Sequence, residues 1–359
     1  MVGAVKYRGY ASHLTAPAGL AGRNGRATVR NRRWPTEQGD PLSIPKTFER
    51  FACCTWLWCW LGMLIVSAVA AAQDLEPRAY SPSPVGANFL VMGFGNTSGD
   101  VLFDPTLPIS DVHANLYSQA TGLGHTFGLA GRQSLVTVAL PYVWGNIRGQ
   151  VFEQQQSVYR SGLADLRVKF SFNLHGSPAL SPQEFAKSPG HGLIVGTSLE
   201  VRAPSGQYDP TRLISIGTDR WSFKPELGIS YPRKKWNFDF YTGVWLFTDN
   251  SAFFPGTSTR QQDPVTTLQA HVSYTLRRRL WAAFDSTWYA GGASHVNNGP
   301  PSSRLSNSRV GATLSVPIGK SQSLKIAYSR GATARVGTNF STIGVAWQLL
   351  WFGRRLPHL

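Results

Sequence analysis

Apolar and polar residues alternate strictly over many stretches of this chain. In residues 163–174, LADLRVKFSFNL, the even positions from Leu166 to Leu174 are apolar and the odd positions from Asp165 to Asn173 are polar or charged. A period of two over this length predicts a β-strand with one apolar and one polar face. About twelve such segments of roughly ten residues each follow one another, near 86–96, 112–127, 135–145, 163–174, 193–202, 221–231, 238–246, 268–276, 280–288, 310–316, 324–329 and 343–351.

The connections between these segments differ in length. Short ones are predicted at 128–133, 232–235, 277–279 and 319–322, and long polar ones at 97–111, 146–160, 204–219, 249–263 and 291–307. Residues 175–191 are an exception, because they are long on the side of the short turns. They contain Ser181-Pro182-Gln183-Glu184, which resembles the start of a helix.

The alternation predicts an all-β fold, a transmembrane antiparallel β-barrel of about twelve strands spanning residues 73–352. An even number of strands with alternating short turns and long loops is typical of outer-membrane barrels, whose closure leaves no unpaired edge in lipid. Large aromatics lie on the apolar face toward strand ends, as an interfacial girdle requires: Tyr142, Trp144, Trp221, Tyr231, Tyr274, Trp288 and Trp351. The apolar face of Leu166–Leu174 is therefore expected to face lipid, and the polar face to line the lumen.

The first 72 residues do not fit this pattern. Residues 46–72 are predicted to be a signal peptide, because Lys46 and Arg50 precede an uncharged apolar run that ends in Ala70 and Ala72. An uncleaved membrane anchor is the alternative for this run. Residues 1–45 are interpreted as a disordered extension or as sequence upstream of the true start, and residues 353–359 as a short C-terminal tail. Cys53, Cys54 and Cys59 all lie in the apolar run and lack the spacing of a zinc site.

The charge is strongly basic, with 35 Lys and Arg against 19 Asp and Glu. Much of the excess lies in the first 50 residues, and the rest is scattered or sits at predicted turns such as Arg277-Arg278-Arg279. No basic helix or recognition motif accompanies it, so nucleic acid is not a predicted partner.

Three segments carry a resemblance to a known family. They are SGLADLRVKFSFNL at 161–174, GQYDPTRLISIGTDRWSFKPELG at 206–228 and GVWLFTDN at 243–250. In these the chain resembles bacterial outer-membrane transporters named for a meta-pathway of phenol degradation. The resemblance covers most of 74–351 and implies an outer-membrane barrel that takes up aromatic or other small apolar compounds.

Strand parity predicts which charged side chains line the lumen. These are Asp165, Arg167, Lys169, Glu200, Arg202, Lys224, Glu226, Asp239, Asp285, Arg309 and Lys325. They could form a transverse field that orients a permeant, or a ladder of ion pairs that fills a narrow lumen. One strand register would pair Asp165 with Arg202 and Arg167 with Glu200.

Two further features are candidates for function. Phe253 and Phe254 lie in a long loop that could fold inward to gate the pore or present an apolar entry site, or could pack against neighbouring loops. His271-Val272-Ser273 has the His-x-Ser spacing of some barrel phospholipases, although two polar lumen residues is the simpler interpretation. No metal site and no cofactor is predicted, since the histidines are dispersed.

The sequence therefore predicts an outer-membrane channel or transporter for small, aromatic or hydrophobic molecules, and not an enzyme. Its expected partners are outer-membrane lipid, the permeant and the barrel-assembly machinery. A lipid-modifying barrel enzyme and a structural or adhesion barrel with a plugged lumen are the alternatives.

Overall fold

The computed structural model describes residues 75–102, 109–151, 154–188, 190, 192–212, 214–335 and 337–353. The predictions for residues 1–45, for the signal peptide at 46–72 and for the tail after Gly353 lie outside these residues and remain predictions. The described strands are β1 (Ala87–Leu102), β2 (Ile109–Leu129), β3 (Arg132–Val151), β4 (Gln154–Leu163), β5 (Leu166–His175), β6 (Ile194–Ala203), β7 (Ser222–Arg233), β8 (Trp236–Phe247), β9 (Asn250–Phe253), β10 (Ser258–Gln262), β11 (Val265–Arg277), β12 (Leu280–Gly291), β13 (Ser294–Val296), β14 (Leu305–Ile318), β15 (Gln322–Thr333) and β16 (Gly337–Phe352). One short helix, α1 (Pro182–Lys187), lies between β5 and β6.

Twelve of these strands close into an antiparallel barrel. The order around the wall is β2-β1-β16-β15-β14-β12-β11-β8-β7-β6-β5-β3, and pairing of β2 with β3 completes the ring. Strand β4 continues β5 along β3, so the two together form one wall strand. Strands β9, β10 and β13 form a separate three-stranded sheet within the long loops. The predicted all-β barrel of about twelve strands is confirmed.

The two faces of the wall have the polarity of a membrane barrel. On β12, Phe284 is 59% exposed while the adjacent Asp285 is fully buried. Phe94 and Tyr328 likewise point outward, whereas the buried set is dominated by Ser, Thr, Asn and charged side chains. A soluble protein has the opposite arrangement, so this wall is built to face hydrocarbon outside and a polar lumen inside.

The short turns and the helix lie where the sequence predicts them. Tight turns separate β2 from β3, β7 from β8, β11 from β12 and β14 from β15. Helix α1 begins with a capping box, in which the Ser181 hydroxyl accepts from the Glu184 N–H and the Glu184 carboxylate accepts from the Ser181 N–H. We call this the short-turn end of the barrel and the opposite one the long-loop end.

Two of the predicted long loops are wrong. Strand β1 runs to Leu102 and β2 begins at Ile109, while β3 runs to Val151 and β4 begins at Gln154, so most of 97–111 and 146–160 is strand. Their Gly, Asn and Asp residues suggested loops, but polar ladders hold the strands together there. Asn96 donates to the Asn115 side chain at 2.8 Å and Thr97 meets Thr342 at 3.1 Å.

The predicted register between β5 and β6 is also wrong. Arg167 lies opposite Arg202 and Lys169 opposite Glu200, a shift of two residues from the predicted register. Strand β5 begins at Leu166, and the outward face changes from odd positions on β4 to even positions on β5. The chain therefore bulges at residues 164–165, which removes Asp165 from the ladder and leaves its carboxylate for another use.

Candidate functional site

The chain before β1 turns back into the barrel. We call Leu75–Gly86 the inner segment. At the short-turn end it is fastened to the wall by the buried Thr126: the Gly86 N–H donates to the Thr126 carbonyl at 2.8 Å, and the Thr126 hydroxyl donates to the Pro84 carbonyl at 2.7 Å. From this anchor the inner segment enters the lumen.

Tyr80 is a buried aromatic side chain of the inner segment. It is 2% exposed, its hydroxyl donates to Glu226 Oε1 at 3.0 Å, and it lies 3.1 Å from the Ser198 hydroxyl. Its ring lies over Gly196 and Gly228, where an added methyl group would stand only 2.2 and 2.1 Å from ring atoms. Two adjacent wall strands therefore lack side chains at the positions that this ring occupies.

Other residues of the inner segment reach further around the wall. Arg78 donates to Ser273 Oγ on β11 at 2.8 Å, and its backbone N–H donates to Asp239 on β8 at 3.2 Å. Glu76 forms an ion pair with Lys169 on β5. Leu75 approaches Gly311 on β14. The inner segment thus crosses the lumen from one side of the barrel to the other.

Four of the predicted lumen charges form one cluster on β6 and β7. Arg202 Nε bonds to Glu200 at 2.9 Å, and Lys224 Nζ lies 3.2 Å from Glu226 and 4.0 Å from Glu200. The Arg202 guanidinium lies 4.1 Å from the centre of the buried Trp245 ring. This arrangement is that of the ion-pair ladder, in which neighbouring charges compensate one another.

The other predicted lumen residues have separate partners. Asp239 accepts from Ser230, Asp285 from Thr313, and Arg309 donates to Ser329. Lys325 lies 5.8 Å from the Trp281 ring and lines the cavity described next. Arg167 is half-buried on the inner side of β5. Whether these residues line a route for a permeant remains a prediction.

A cavity of about 990 Å³ occupies the short-turn end of the lumen. The inner segment forms one side of it, parts of β1, β2, β3 and β16 form another, and residues of β5, β12, β14 and β15 also line it. The inner faces of these four strands carry small residues that are neighbours in the ladder; we call them the small-residue lane: Gly93, Gly95, Ala120, Gly122, Ala139, Gly344 and Ala346. Open space therefore remains on the side of the lumen that the inner segment does not fill.

The long-loop end of the lumen is apolar and covered. Residues 204–221, which we call the cover loop, place Ile214 among buried side chains of four wall strands. These are Val101, Val112, Ala114, Ile147 and Phe340. Because a water-filled lumen would expose such residues to water, their contact with Ile214 holds the cover loop over the mouth.

Asp165 fastens the cover loop to the wall. Its carboxylate accepts from the Gly206 N–H at 3.0 Å and from the Thr218 N–H at 3.2 Å, at the two ends of the cover loop. The predicted lumen carboxylate is therefore buried as expected from its parity, but it binds a loop instead of Arg202.

Replacing Asp165 with Ala is expected to loosen the cover loop. Each hydrogen bond to a charged acceptor is worth about 2 kcal/mol, so trypsin should cleave after the exposed Arg212 at least tenfold faster than in the wild type. The control is Asp100→Ala, which removes an exposed carboxylate that bonds to His113 on β2. Equal cleavage rates in all three proteins would show that Asp165 does not hold the cover loop.

The two phenylalanines predicted as gate candidates lie in the long-loop sheet. Phe253 is buried, with the Arg260 guanidinium 5.8 Å from its ring centre, and Phe254 is half-buried. The cover loop is tied to this sheet, because Tyr208 donates to the Ala252 carbonyl and Asn250 donates to the Thr218 carbonyl, each at 3.1 Å. Phe253 contacts Arg260 within the long-loop sheet, and a gating role for either phenylalanine remains a prediction.

The His-x-Ser pair on β11 does not form a nucleophile and base. His271 Nδ1 bonds to Asp285 at 2.7 Å, whereas the Ser273 hydroxyl accepts from Arg78. His271 Nε2 is buried and has no hydrogen-bond partner in the described chain. A catalytic pair requires this nitrogen to reach the serine hydroxyl, so the geometry gives no support to the hydrolase alternative.

Within the residues that the structure describes, no helix is long and apolar enough to cross a membrane.

The family model described as "Putative MetA-pathway of phenol degradation" matches residues 92–349. The chain belongs to this family. The match confirms the resemblance found in the sequence, and a search of curated proteins finds no match.

Solved structures similar to this member of the family are outer-membrane barrels. The COG4313 outer membrane channel from Pseudomonas putida F1 is 17% identical, with a TM-score of 0.64 over 77% of this chain and 100% of that chain. The transport unit of the autotransporter AIDA-I from Escherichia coli is 10% identical, with a TM-score of 0.46 over 81% and 96% of the two chains. The KdgM porin is 7% identical, with a TM-score of 0.38 over 72% and 98%. The fold is that of an outer-membrane channel, and the protein is located in the outer membrane.

Sequence reasoning missed the residues that occupy the lumen. Glu76, Tyr80 and Ile214 lie in segments without periodicity, and nothing in their sequence context distinguishes them from loop residues. The glycines opposite Tyr80 interrupt their strands in the sequence, which is a weak sign of a close approach by another chain segment. That sign alone could not identify Tyr80 as the residue that approaches.

Proposed function

We propose that this protein is an outer-membrane channel for small molecules, with aromatic or other apolar compounds as its preferred cargo. The observation that carries the proposal is the cavity of about 990 Å³ beside the inner segment, which Gly93, Ala120, Gly122 and Ala139 of the small-residue lane help to line. Its volume lies in the range of small-molecule binding sites. With the short turns in the periplasm, as in other outer-membrane barrels, this cavity is the periplasmic half of the route.

The preference for apolar cargo is supported by the opposite half of the lumen. The buried cluster around Ile214 lines the mouth with aliphatic and aromatic side chains. A second buried cluster lies on a different part of the barrel, on β8, β11, β12 and β14. It consists of Trp245, Val265, Tyr289 and Leu305. A hydrophilic solute would lose hydration against these surfaces and gain little, whereas an aromatic ring would be favoured there.

The test is single-channel recording with the full-length protein in a planar bilayer. We expect ohmic current steps, and we expect millimolar catechol, but not myo-inositol, to produce resolvable blockades. Catechol is uncharged at neutral pH, so its blockade reports ring binding and not charge. Steps that both solutes block equally would contradict the aromatic preference.

The plugged structural barrel is a second candidate, because Tyr80 and Ile214 both fill the lumen. It predicts no current from a protein that still migrates as a folded barrel before heating. That result would refute the channel, since the migration shift on heating shows that the barrel has formed.

A further inference from the structure

Two buried arginines stand near each other at the long-loop end, and no carboxylate among the described residues forms an ion pair with either. Arg220 ends the cover loop and Arg260 lies on β10, and both are less than 5% exposed. In the described chain, Nε and Nη1 of Arg220 and Nε of Arg260 are buried and have no hydrogen-bond acceptor. A buried cation that lacks an acceptor is costly, and it is the feature expected where an anion binds.

The two side chains are held in place by neutral groups. Arg220 Nη2 donates to Gln262 Oε1 at 2.6 Å, and Arg260 Nη2 donates to Ser294 Oγ at 3.3 Å. Gln262 lies two residues after Arg260 on β10 and pairs with Ser294 on β13. These contacts orient the arginines but supply no negative charge of their own.

Aromatic rings cover the faces of both guanidinium groups. The Arg220 guanidinium carbon lies 4.3 Å from the Phe247 ring centre, and that of Arg260 lies 5.8 Å from the Phe253 ring centre. Stacking on a ring leaves the N–H groups at the edge of the guanidinium plane, which is the geometry for binding a planar carboxylate. The same rings offer contact to an apolar body attached to that carboxylate.

Burial lowers the pKa of both arginines. Burial and the nearby Arg260 guanidinium hold the pKa of Arg220 well below its ordinary value, although Asp165 and Asp249 oppose this. Burial lowers the pKa of Arg260 to about 10. An anion bound between the two guanidinium groups would oppose the lowering of both pKa values.

We propose that Arg220 and Arg260 form a binding site for the carboxylate of a small organic acid, with Phe247 and Phe253 beside its apolar part. Both arginines are shielded from solvent, so the anion reaches them only when the cover loop moves away from the long-loop sheet. Because the bound carboxylate joins the cover loop to the long-loop sheet, binding favours the arrangement in which the two are in contact. The binding of the acid does not depend on the proposed channel function. Only the further statement that the bound acid is also a permeant rests on that function.

The test is calorimetric titration of the detergent-solubilised full-length protein with sodium benzoate at pH 7. We expect saturable binding that Arg220→Gln and Arg260→Gln each weaken at least tenfold, and no binding of benzamide, which lacks the charge. The control is Arg212→Gln, an exposed arginine of the same loop that pairs with Asp209. It should bind benzoate like the wild type.

Further arms separate other outcomes. The site would be refuted if both glutamine variants bound benzoate as tightly as the wild type does. The assignment to a carboxylate would be refuted if inorganic phosphate bound in a manner that depends on the arginines and benzoate did not displace it. Arg220→Lys, which keeps the charge but loses the planar donor fork, should also lose affinity and guards against misfolding of the glutamine variant. Benzoate binding without channel current would contradict only the proposed function, and solute flux without arginine-dependent binding would contradict only this site.

Discussion

Replacing Tyr80 with Ala is expected to raise the single-channel conductance at least twofold and to lengthen the open state. The substitution removes two hydrogen bonds, worth about 1 kcal/mol each, and the burial of an aromatic ring, worth about 2 kcal/mol. A total of about 4 kcal/mol corresponds to roughly a thousandfold change in the ratio of docked to released inner segment. Conductance recording of the full-length variant measures the result directly.

A change in the wall should reproduce this effect without touching the inner segment. Gly228→Val places a side chain where the Tyr80 ring lies, since even a methyl group there would stand 2.1 Å from a ring atom. Tyr80→Phe keeps the ring and loses the bonds to Glu226 and Ser198, so its conductance should be intermediate. Wild-type conductance in both Tyr80→Ala and Gly228→Val would show that the inner segment does not limit the current.

The fold is predictable from the alternation of apolar and polar residues, because adjacent residues of a strand face lipid and lumen in turn. Lipid favours apolar side chains, and the lumen favours polar ones. Phe284 and Asp285 illustrate this, one exposed and the next buried, and their period of two is legible from sequence alone. The wall beyond the membrane is harder to predict. Thr97 looks like a loop residue, yet its hydroxyl contacts that of Thr342 within the continuous pairing of β1 with β16.

The face of a residue is predictable where its partner is not. A shift of two residues in register keeps every side chain on the same face of the sheet. Strand parity therefore predicts correctly that Lys169 points into the lumen. It cannot predict that the ion-pair partner of Lys169 is Glu76 and not a residue of β6. Tyr80 is separated from Ser198 by 118 residues and from Glu226 by 146. No local pattern reports contacts of such separation, and the buried arginines are recognisable only because their missing acceptors are a property of the fold.

Gly344→Trp is expected to lower the conductance by at least half. Gly344 lies on the inner face of β16 opposite Gly95, and the nearest atom to an added Cβ is the Phe94 carbonyl oxygen at 3.7 Å, an ordinary contact. The strand therefore tolerates a side chain there, and the indole must extend into the open side of the lumen. The same substitution one residue earlier, Ile343→Trp, faces lipid and should leave the conductance unchanged.

The double variant Tyr80→Ala/Gly344→Trp tests whether the two changes act on one passage. If ions pass between the inner segment and the small-residue lane, release of the inner segment widens the passage, and the indole then blocks a smaller fraction of it. The loss caused by Gly344→Trp should shrink in the Tyr80→Ala background, a departure from additivity expected of two groups that face the same space. An equal fractional loss in both backgrounds would mean that the lane and the inner segment do not border one route.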